Sequence, residues 1–194
     1  MPEDNFEYWA KQGIEFSDLG KYEDALACFE KAIESSPNNL CKSNVWTEKG
    51  LVKEKLKEFD SAIFCQSKAI EFNPKNDDAW YNKGVSFDAQ KKYVDAIICY
   101  QKALDINPND LQFLDNMGTA LCTLGDYKNA ITYFDRSISI DPNQCHPWQM
   151  KAMALKDLAI MAAPVAAATL SDEAERCNHM AKKLGCSDIE FLKF

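Results

Sequence analysis

The chain has 194 residues, of which 46% are hydrophobic, and a formal net charge of −8. A chain with this apolar content can bury a core and lies far from the composition of disordered proteins. The acidic balance argues against a general nucleic-acid binder, since neutralising phosphates requires clustered Lys and Arg. We therefore expect a folded protein with neutral to basic protein partners and no nucleic-acid ligand.

The sequence predicts a cytoplasmic protein without a membrane partner. Residues 1–5 contain neither the basic region nor the apolar region of a secretion signal. The main apolar run, residues 158–170, is too short for a membrane span and contains Pro164.

Eight cysteines are spread along the chain without a C-x-x-C pair of zinc-site spacing. We interpret them as free thiols in a reducing compartment, in preference to the disulfide framework of a secreted protein. The two histidines, His146 and His179, could join Cys145 and Cys177 in a metal site, but the repeat described below gives Cys177 a packing role. We therefore expect no metal and no other cofactor.

In chain order, the first element of each repeated unit is a helix marked by a large residue with a small one four positions later. This spacing places both residues on one helical face, where the small residue lets a second helix approach closely. The pairs are Trp9 and Gly13, Trp46 and Gly50, Trp80 and Gly84, Leu114 and Gly118, and a weaker Trp148 and Ala152.

A second helix follows in each of the first four units, marked by an alanine 16 positions after the opening residue. Proline then ends the unit, because the residue before a proline is pushed out of the α region. These markers are Ala25 and Pro37, Ala62 and Pro74, Ala96 and Pro108, and Ala130 and Pro142. The prolines are 34 residues apart except for the first interval of 37, so we place a three-residue insertion in the linker at residues 38–42.

This pattern resembles the tetratricopeptide repeat, which has the same series of residues on a 34-residue period. The resemblance implies an all-α fold, a right-handed α-solenoid of stacked antiparallel helix hairpins. We predict a single solenoid domain, 1–194, with repeats at about 6–39, 43–76, 77–110 and 111–144 and a degenerate fifth unit with capping helices at 145–194. The predicted helices are about 4–19, 22–35, 43–56, 59–72, 77–90, 93–106, 111–124 and 127–140.

The fifth unit departs from the family pattern. Its alanine, Ala174, follows Trp148 after 26 positions in place of 16, so ten extra residues lie within 159–170. We expect them to extend the first helix and lengthen the loop of a unit that caps the array. The alternative is a surface for self-association, because an exposed apolar segment usually covers something. The amphipathic tail, 187–194, is expected to pack on this end or to dock on a neighbouring molecule.

In proteins that this array resembles, one face of each first helix lines a concave groove that binds extended peptides. The resemblance places these residues in the groove: Thr47, Glu48, Leu51, Asp78, Tyr81, Asn82, Val85, Asp88, Gln112, Asp115, Asn116 and Thr119. This set is acidic with apolar residues interspersed, which favours a neutral to basic peptide.

Asn82 and Asn116 occupy equivalent positions in adjacent repeats and resemble the asparagine ladder of the O-linked N-acetylglucosamine transferase. A carboxamide both donates and accepts hydrogen bonds, so it can hold a peptide backbone whatever the side chains. The Lys and Arg clamp of chaperone-binding family members is not matched, since Asp78 and Asn82 stand at two of its positions.

The sequence contains none of the common nucleotide-binding, zinc-protease or calcium-loop motifs. We therefore predict that the protein is not an enzyme but a scaffold or adaptor that binds an extended peptide of a partner protein in the groove. The alternative is a structural subunit that mediates homo-oligomer or multiprotein assembly through the insertion and the tail.

Overall fold

The computed structural model describes residues 5–186, and this part of the chain is all-helical, with ten α-helices and no strand. The helices are α1 Phe6–Asp18, α2 Tyr22–Glu34, α3 Asn39–Lys55, α4 Phe59–Phe72, α5 Asp77–Ala89, α6 Tyr93–Ile106, α7 Leu111–Thr123, α8 Tyr127–Ile140, α9 Cys145–Met161 and α10 Pro164–Lys183. The predicted contacts of the tail, 187–194, lie outside the described residues.

The chain divides into two compact units between Pro108 and Asn109. In the first unit α1 packs on α2, α3 on α4 and α5 on α6, and each hairpin packs on the next; in the second unit α7 packs on α8, α8 on α9 and α9 on α10. First helices also touch one another, α1 with α3, α3 with α5, and α7 with α9. Stacked helix hairpins are therefore the building principle of both units, while one continuous domain over 1–194 stays a prediction.

In each hairpin of the four repeats, the second helix packs closely against the glycine of the first helix. A Cβ atom added to Gly13 would stand 2.4 Å from Cε1 of Phe29, and one added to Gly118 would stand 2.6 Å from Cε1 of Phe134. Both phenylalanine side chains are fully buried. The aromatic ring therefore occupies the space that any larger residue would need, which explains the large and small pairs of the repeat.

The turn inside each hairpin of the four repeats contains one residue with a left-handed backbone. Gly20 and Gly125 have φ angles of 72° and 79°, and Lys57 and Lys91 take the equivalent places with φ angles of 60° and 61°. Glycine adopts this conformation without a steric penalty, whereas lysine must be held in it by the surrounding structure.

The three-residue insertion after the first repeat is helical, which corrects its assignment to a linker at 38–42. Helix α3 begins at Asn39, four residues before the predicted start, and it has 17 residues. The Asn38 side chain caps it by accepting a hydrogen bond from the Cys41 backbone N–H at 2.9 Å. Residues 39–42 contain neither glycine nor proline, so the helix can extend back to this cap.

The ten extra residues of the fifth unit extend both of its helices. Helix α9 has 17 residues and α10 has 20, against 13 and 14 in α7 and α8. Only Ala162 and Ala163 separate α9 from α10. The expected longer first helix is present, but the expected longer loop is wrong, because alanine favours helix and Pro164 is well suited to the first turn of α10.

A disulfide joins Cys145 at the start of α9 to Cys186 just beyond α10, with Cα atoms 5.8 Å apart. The interpretation of all eight cysteines as free thiols is therefore wrong for these two. The hairpin returns the end of α10 to the start of α9, a proximity that a sequence separation of 41 does not reveal. The four cysteines that recur after the repeat alanine are buried free thiols: Cys28, Cys65, Cys99 and Cys177.

Candidate functional site

All twelve predicted groove residues lie on first helices. Helix α3 carries Thr47, Glu48 and Leu51; α5 carries Asp78, Tyr81, Asn82, Val85 and Asp88; and α7 carries Gln112, Asp115, Asn116 and Thr119. Their spacing of three and four places them on one side of each helix. Peptide binding by these residues stays a prediction.

These residues differ in how much surface they offer to a ligand. Asp78 and Gln112 are exposed. Thr47, Asn82 and Asp115 are buried, at 7%, 9% and 8% exposure. The other seven residues of the set are half-buried. A ligand that lies on any of these helices would therefore contact mainly half-buried side chains.

Thr47 belongs to a buried hydrogen-bond network between the second and third repeats. The Asn76 amide donates to Ser43 Oγ at 2.9 Å and to Thr47 Oγ1 at 3.0 Å. Ser43 Oγ donates in turn to the Ala69 carbonyl at 2.8 Å, and the Gln66 amide donates to the Thr47 carbonyl at 3.2 Å. The Thr47 side chain therefore helps to hold α3 beside α5.

Three carboxylates lie on three consecutive first helices of the first unit that touch one another: Asp18 on α1, Glu48 on α3 and Asp78 on α5. Burial raises the pKa of Glu48 on α3; Lys55 partly offsets this effect, and the charges of Asp18 on α1 and Asp78 on α5 add to it. Lys55 Nζ also donates a hydrogen bond to Ser17 Oγ at 3.2 Å. The first helices thus share one negatively charged surface.

Glu54 on α3 and Asp88 on α5 add two half-buried carboxylates to this surface. Burial raises the pKa of both carboxylates. Within residues 5–186, no Lys or Arg forms an ion pair with either carboxylate. We call the set of Asp18, Glu48, Glu54, Asp78 and Asp88 the acidic face.

Tyr100 on α6 occupies the repeat position that Phe29 and Phe134 hold in the first and fourth repeats, and it is fully buried. Its ring lies against Gly84, and its centroid is 5.8 Å from that of Tyr81. Unlike phenylalanine, it brings a hydroxyl group to this position. In the described part of the chain, that buried hydroxyl has no hydrogen-bond partner.

The Tyr100 hydroxyl lies close to the acidic face. Burial raises the pKa of Tyr100, and the charges of Asp88 and Glu54 are among the groups that raise it further. The repeat pattern alone assigns no role to this hydroxyl. The substitution of tyrosine for the phenylalanine of two other repeats is the sequence signal that could have identified it.

In the second unit the predicted residue Asp115 is buried. Burial raises the pKa of Asp115, and the charge of His146 partly offsets this effect. Thr119 Oγ1 donates to the Asp115 carbonyl at 2.8 Å. Charge reversal at Asp115 would therefore disturb packing as well as any ligand.

Lys151 on α9 is a buried cation that pairs with two partly exposed carboxylates in the second unit. Its Nζ lies 2.7 Å from Asp135 Oδ1 on α8 and 2.7 Å from Glu173 Oε1 on α10. Burial lowers the pKa of Lys151, but its hydrogen bonds to Asp135 and Glu173 outweigh burial and raise it. This lysine therefore links three helices.

In residues 5–186, no group of three or more His, Cys, Asp and Glu side chains is placed to hold a metal ion. No described helix combines the length and the apolar character that crossing a membrane requires. The cytoplasmic location stays a prediction.

Sequence profiles described as tetratricopeptide repeat match residues 6–39, 43–76, 77–110 and 112–144, which is more than half of the chain. These matches confirm the resemblance found in the sequence. A search of curated protein sequences gave no match.

The fold is similar to several solved structures. A crystal structure of MamA aligns with a TM-score of 0.75 and 18% identity over 97% of this chain and 100% of that one. MamA from Desulfovibrio magneticus RS-1, from residue 41 to its end, aligns with a TM-score of 0.63 and 24% identity over 73% and 78%. YrrB, described as a TPR protein with an unusual peptide-binding site, gives 0.71 and 19% over 93% and 91%. At these identities the likeness shows the fold alone.

Proposed function

Because the chain belongs to the tetratricopeptide repeat family, we propose that it is a non-catalytic scaffold that binds an extended peptide segment of a partner protein on its first-helix face. The observation that carries this proposal is that Asp18, Glu48 and Asp78 lie on three consecutive first helices, of which α3 touches both α1 and α5. A chain lying across α1, α3 and α5 would contact all three helices at once.

The chemistry of this face favours a neutral to basic peptide with some apolar residues. The five carboxylates of the acidic face attract positive charge, and opposite potentials speed association and exclude acidic competitors. Between them lie the half-buried side chains of Leu51, Tyr81 and Val85, which can cover apolar side chains of a ligand. The YrrB structure gives a precedent for peptide binding on a similar fold.

Asn82 in the first unit and Asn116 in the second unit are each proposed to hold a peptide backbone. Each lies on its own first helix at the same repeat position, and a carboxamide can both donate to a carbonyl and accept from an N–H. Replacing both with alanine should weaken peptide binding by about 1–3 kcal/mol. An unchanged dissociation constant, measured by calorimetry, would remove this role.

The experiment that tests peptide binding is a selection from a random peptide display library, followed by affinity measurements on synthetic peptides. The test variant is Glu48→Lys with Asp78→Lys, and the control is Glu34→Lys with Asp95→Lys, which changes net charge equally on the exposed sides of α2 and α6. We expect the test variant to lose the selected peptides and the control to retain them. Equal binding by both variants would overturn the proposal.

A second candidate function is self-assembly through the fifth unit. The tip of the α9–α10 hairpin exposes Ile160, Met161 and Val165 at 83%, 75% and 82%. Three such apolar side chains at one tip are the kind of surface that another copy covers. Sedimentation equilibrium should then show a mass above that of one chain, which Ile160→Asp with Val165→Asp abolishes. A single-chain mass for the unaltered protein at every concentration would reject this function.

A further inference from the structure

We propose that Glu54, Asp88 and the hydroxyl of Tyr100 form a subsite for one basic side chain, arginine or lysine, of the bound peptide. This inference rests on the proposed function and names the part of the acidic face that anchors the ligand.

The first argument is the position of the Tyr100 hydroxyl. The ring lies against Gly84 of α5, and Asp88 is one helical turn further along the same side of that helix. Glu54 reaches the same region from α3, which touches α5, and its charge acts on the Tyr100 hydroxyl. Three polar groups from three helices therefore surround one place in the first unit.

The second argument is that packing does not require this hydroxyl. Phe29 and Phe134 occupy the same repeat position, where they are completely buried and have no polar side-chain atom. Phenylalanine at position 100 would pack in the same way, whereas tyrosine adds a buried hydroxyl that has no partner among the described residues. A buried polar group of this kind normally indicates a missing hydrogen-bond partner.

The third argument is charge. Glu48 has Lys55 nearby, and the carboxylates of Asp135 and Glu173 share Lys151. Glu54 and Asp88 have no such cation within residues 5–186. Half-buried carboxylates lose hydration, so a positive group that approaches them from outside the chain would be favoured more than on open surface.

A basic side chain suits this subsite better than other ligands. An anion would be repelled by both carboxylates, and a metal ion would need a third protein ligand of a kind that the described residues do not place there. A guanidinium or ammonium group donates to carboxylates and to a phenol oxygen, and it can also lie over the ring of Tyr81. The long aliphatic stem of Lys or Arg can cross the half-buried rim.

The test uses peptides selected on the whole protein, with each arginine replaced by citrulline and each lysine by acetyl-lysine. One replacement should weaken binding by about 10- to 100-fold, the value of a charge-assisted hydrogen bond. Glu54→Gln with Asp88→Asn should cause a similar loss. In that variant the neutral peptide should bind no more weakly than the basic one.

The matched control is Glu34→Gln with Asp95→Asn, which makes the same chemical changes on α2 and α6 and should leave affinity unchanged. Tyr100→Phe should keep the fold, because phenylalanine occupies this position in two other repeats, and should weaken the basic peptide but not its neutral form. Circular dichroism confirms folding of every variant.

Two outcomes separate this inference from the proposed function. If the neutral peptides bind the unaltered protein as tightly as the basic ones, the subsite is wrong, while loss of binding in the Glu48→Lys, Asp78→Lys variant keeps the peptide-binding face. If that variant also binds normally, the proposed function fails together with the subsite.

Discussion

A Cβ atom added to Gly84 would stand 2.5 Å from Cε1 of Tyr100 and 3.2 Å from the carbonyl oxygen of Ala96. The ring is fully buried and has no room to move aside. Gly84→Ala would gain about 1 kcal/mol in helix propensity, but overpacking of a filled core costs about 1–3 kcal/mol. We expect a net loss of stability, measured by urea unfolding. Gly50→Ala should also destabilise, because its added atom would stand 2.3 Å from Nε2 of Gln66, a buried amide that donates to the Thr47 carbonyl.

Asn76→Ala should destabilise the first unit by about 2–4 kcal/mol, since it removes the cap of α5 and leaves buried hydroxyls without a donor. Asn76 accepts from the Ala79 N–H at 2.9 Å and donates to Ser43 and Thr47. Asn38→Ala removes a capping hydrogen bond of the same length from α3. Because the Asn38 side chain belongs to no such network, this change should cost about 1 kcal/mol of stability. Equal losses in thermal unfolding would show that the network contributes nothing.

Lys91→Gly should stabilise the protein by about 0.5–1 kcal/mol, because lysine is strained at a φ of 61° and relief of this strain outweighs the entropy of a freer unfolded chain. Lys57→Gly should act in the same way at the equivalent turn. The opposite change, Gly125→Ala at a φ of 79°, should destabilise. Denaturant midpoints of the three variants check the sign, and a loss of stability in Lys91→Gly would contradict this account.

Reduction of the Cys145–Cys186 disulfide should lower the stability of the second unit by about 2–4 kcal/mol, because it frees a long loop in the unfolded chain. Thermal unfolding with and without a reductant measures this effect. The double variant Cys145→Ser with Cys186→Ser should unfold at the temperature of the reduced protein, whether or not a reductant is present. A reductant effect that persists in this double variant would point to a different cause.

The unpaired carboxylates predict a pH dependence of stability. Burial raises the pKa of Glu54 and Asp88 above the unfolded values near 4, so folding favours their protonated forms. Their contribution is most favourable below pH 4 and is lost as the pH rises through the raised values. Glu54→Gln with Asp88→Asn should therefore be more stable than the unaltered protein at pH 7 and similar to it in acid. Urea unfolding at both pH values measures the difference, and Glu34→Gln with Asp95→Asn should not show it.

Much of the fold follows from local pattern. Helices α4, α6 and α8 begin and end at the residues that the repeat predicts, because the alanine and the proline of each unit fix the limits of its second helix. The start of α3 and the loop of the fifth unit were less predictable, since a helix can extend wherever no residue stops it. The Cys145–Cys186 bond depends on how a hairpin returns, which residue spacing does not encode.

The candidate site, like the fold, could be predicted from the sequence only in part. Helical spacing was enough to place twelve residues on first helices. It could not show that Thr47 is bound to Asn76, 29 positions away, since that contact depends on the packing of the second repeat on the third. Nor could it give meaning to the Tyr100 hydroxyl, whose surroundings come from α3 and α5 as well as α6.

The long hairpin of the fifth unit has a practical consequence. The packed residues of this hairpin lie between the disulfide and the tip: Ala152, Leu155, Ala174 and Cys177. At the tip itself, Ile160 and Val165 are exposed. The exposed tip residues Ile160, Met161 and Val165 can therefore be exchanged without removing a buried side chain. A fluorescent dye, an affinity tag or a second domain grafted at Ala162–Ala163 would be carried at the end of a two-helix stalk, and the unit beneath it would keep its packing.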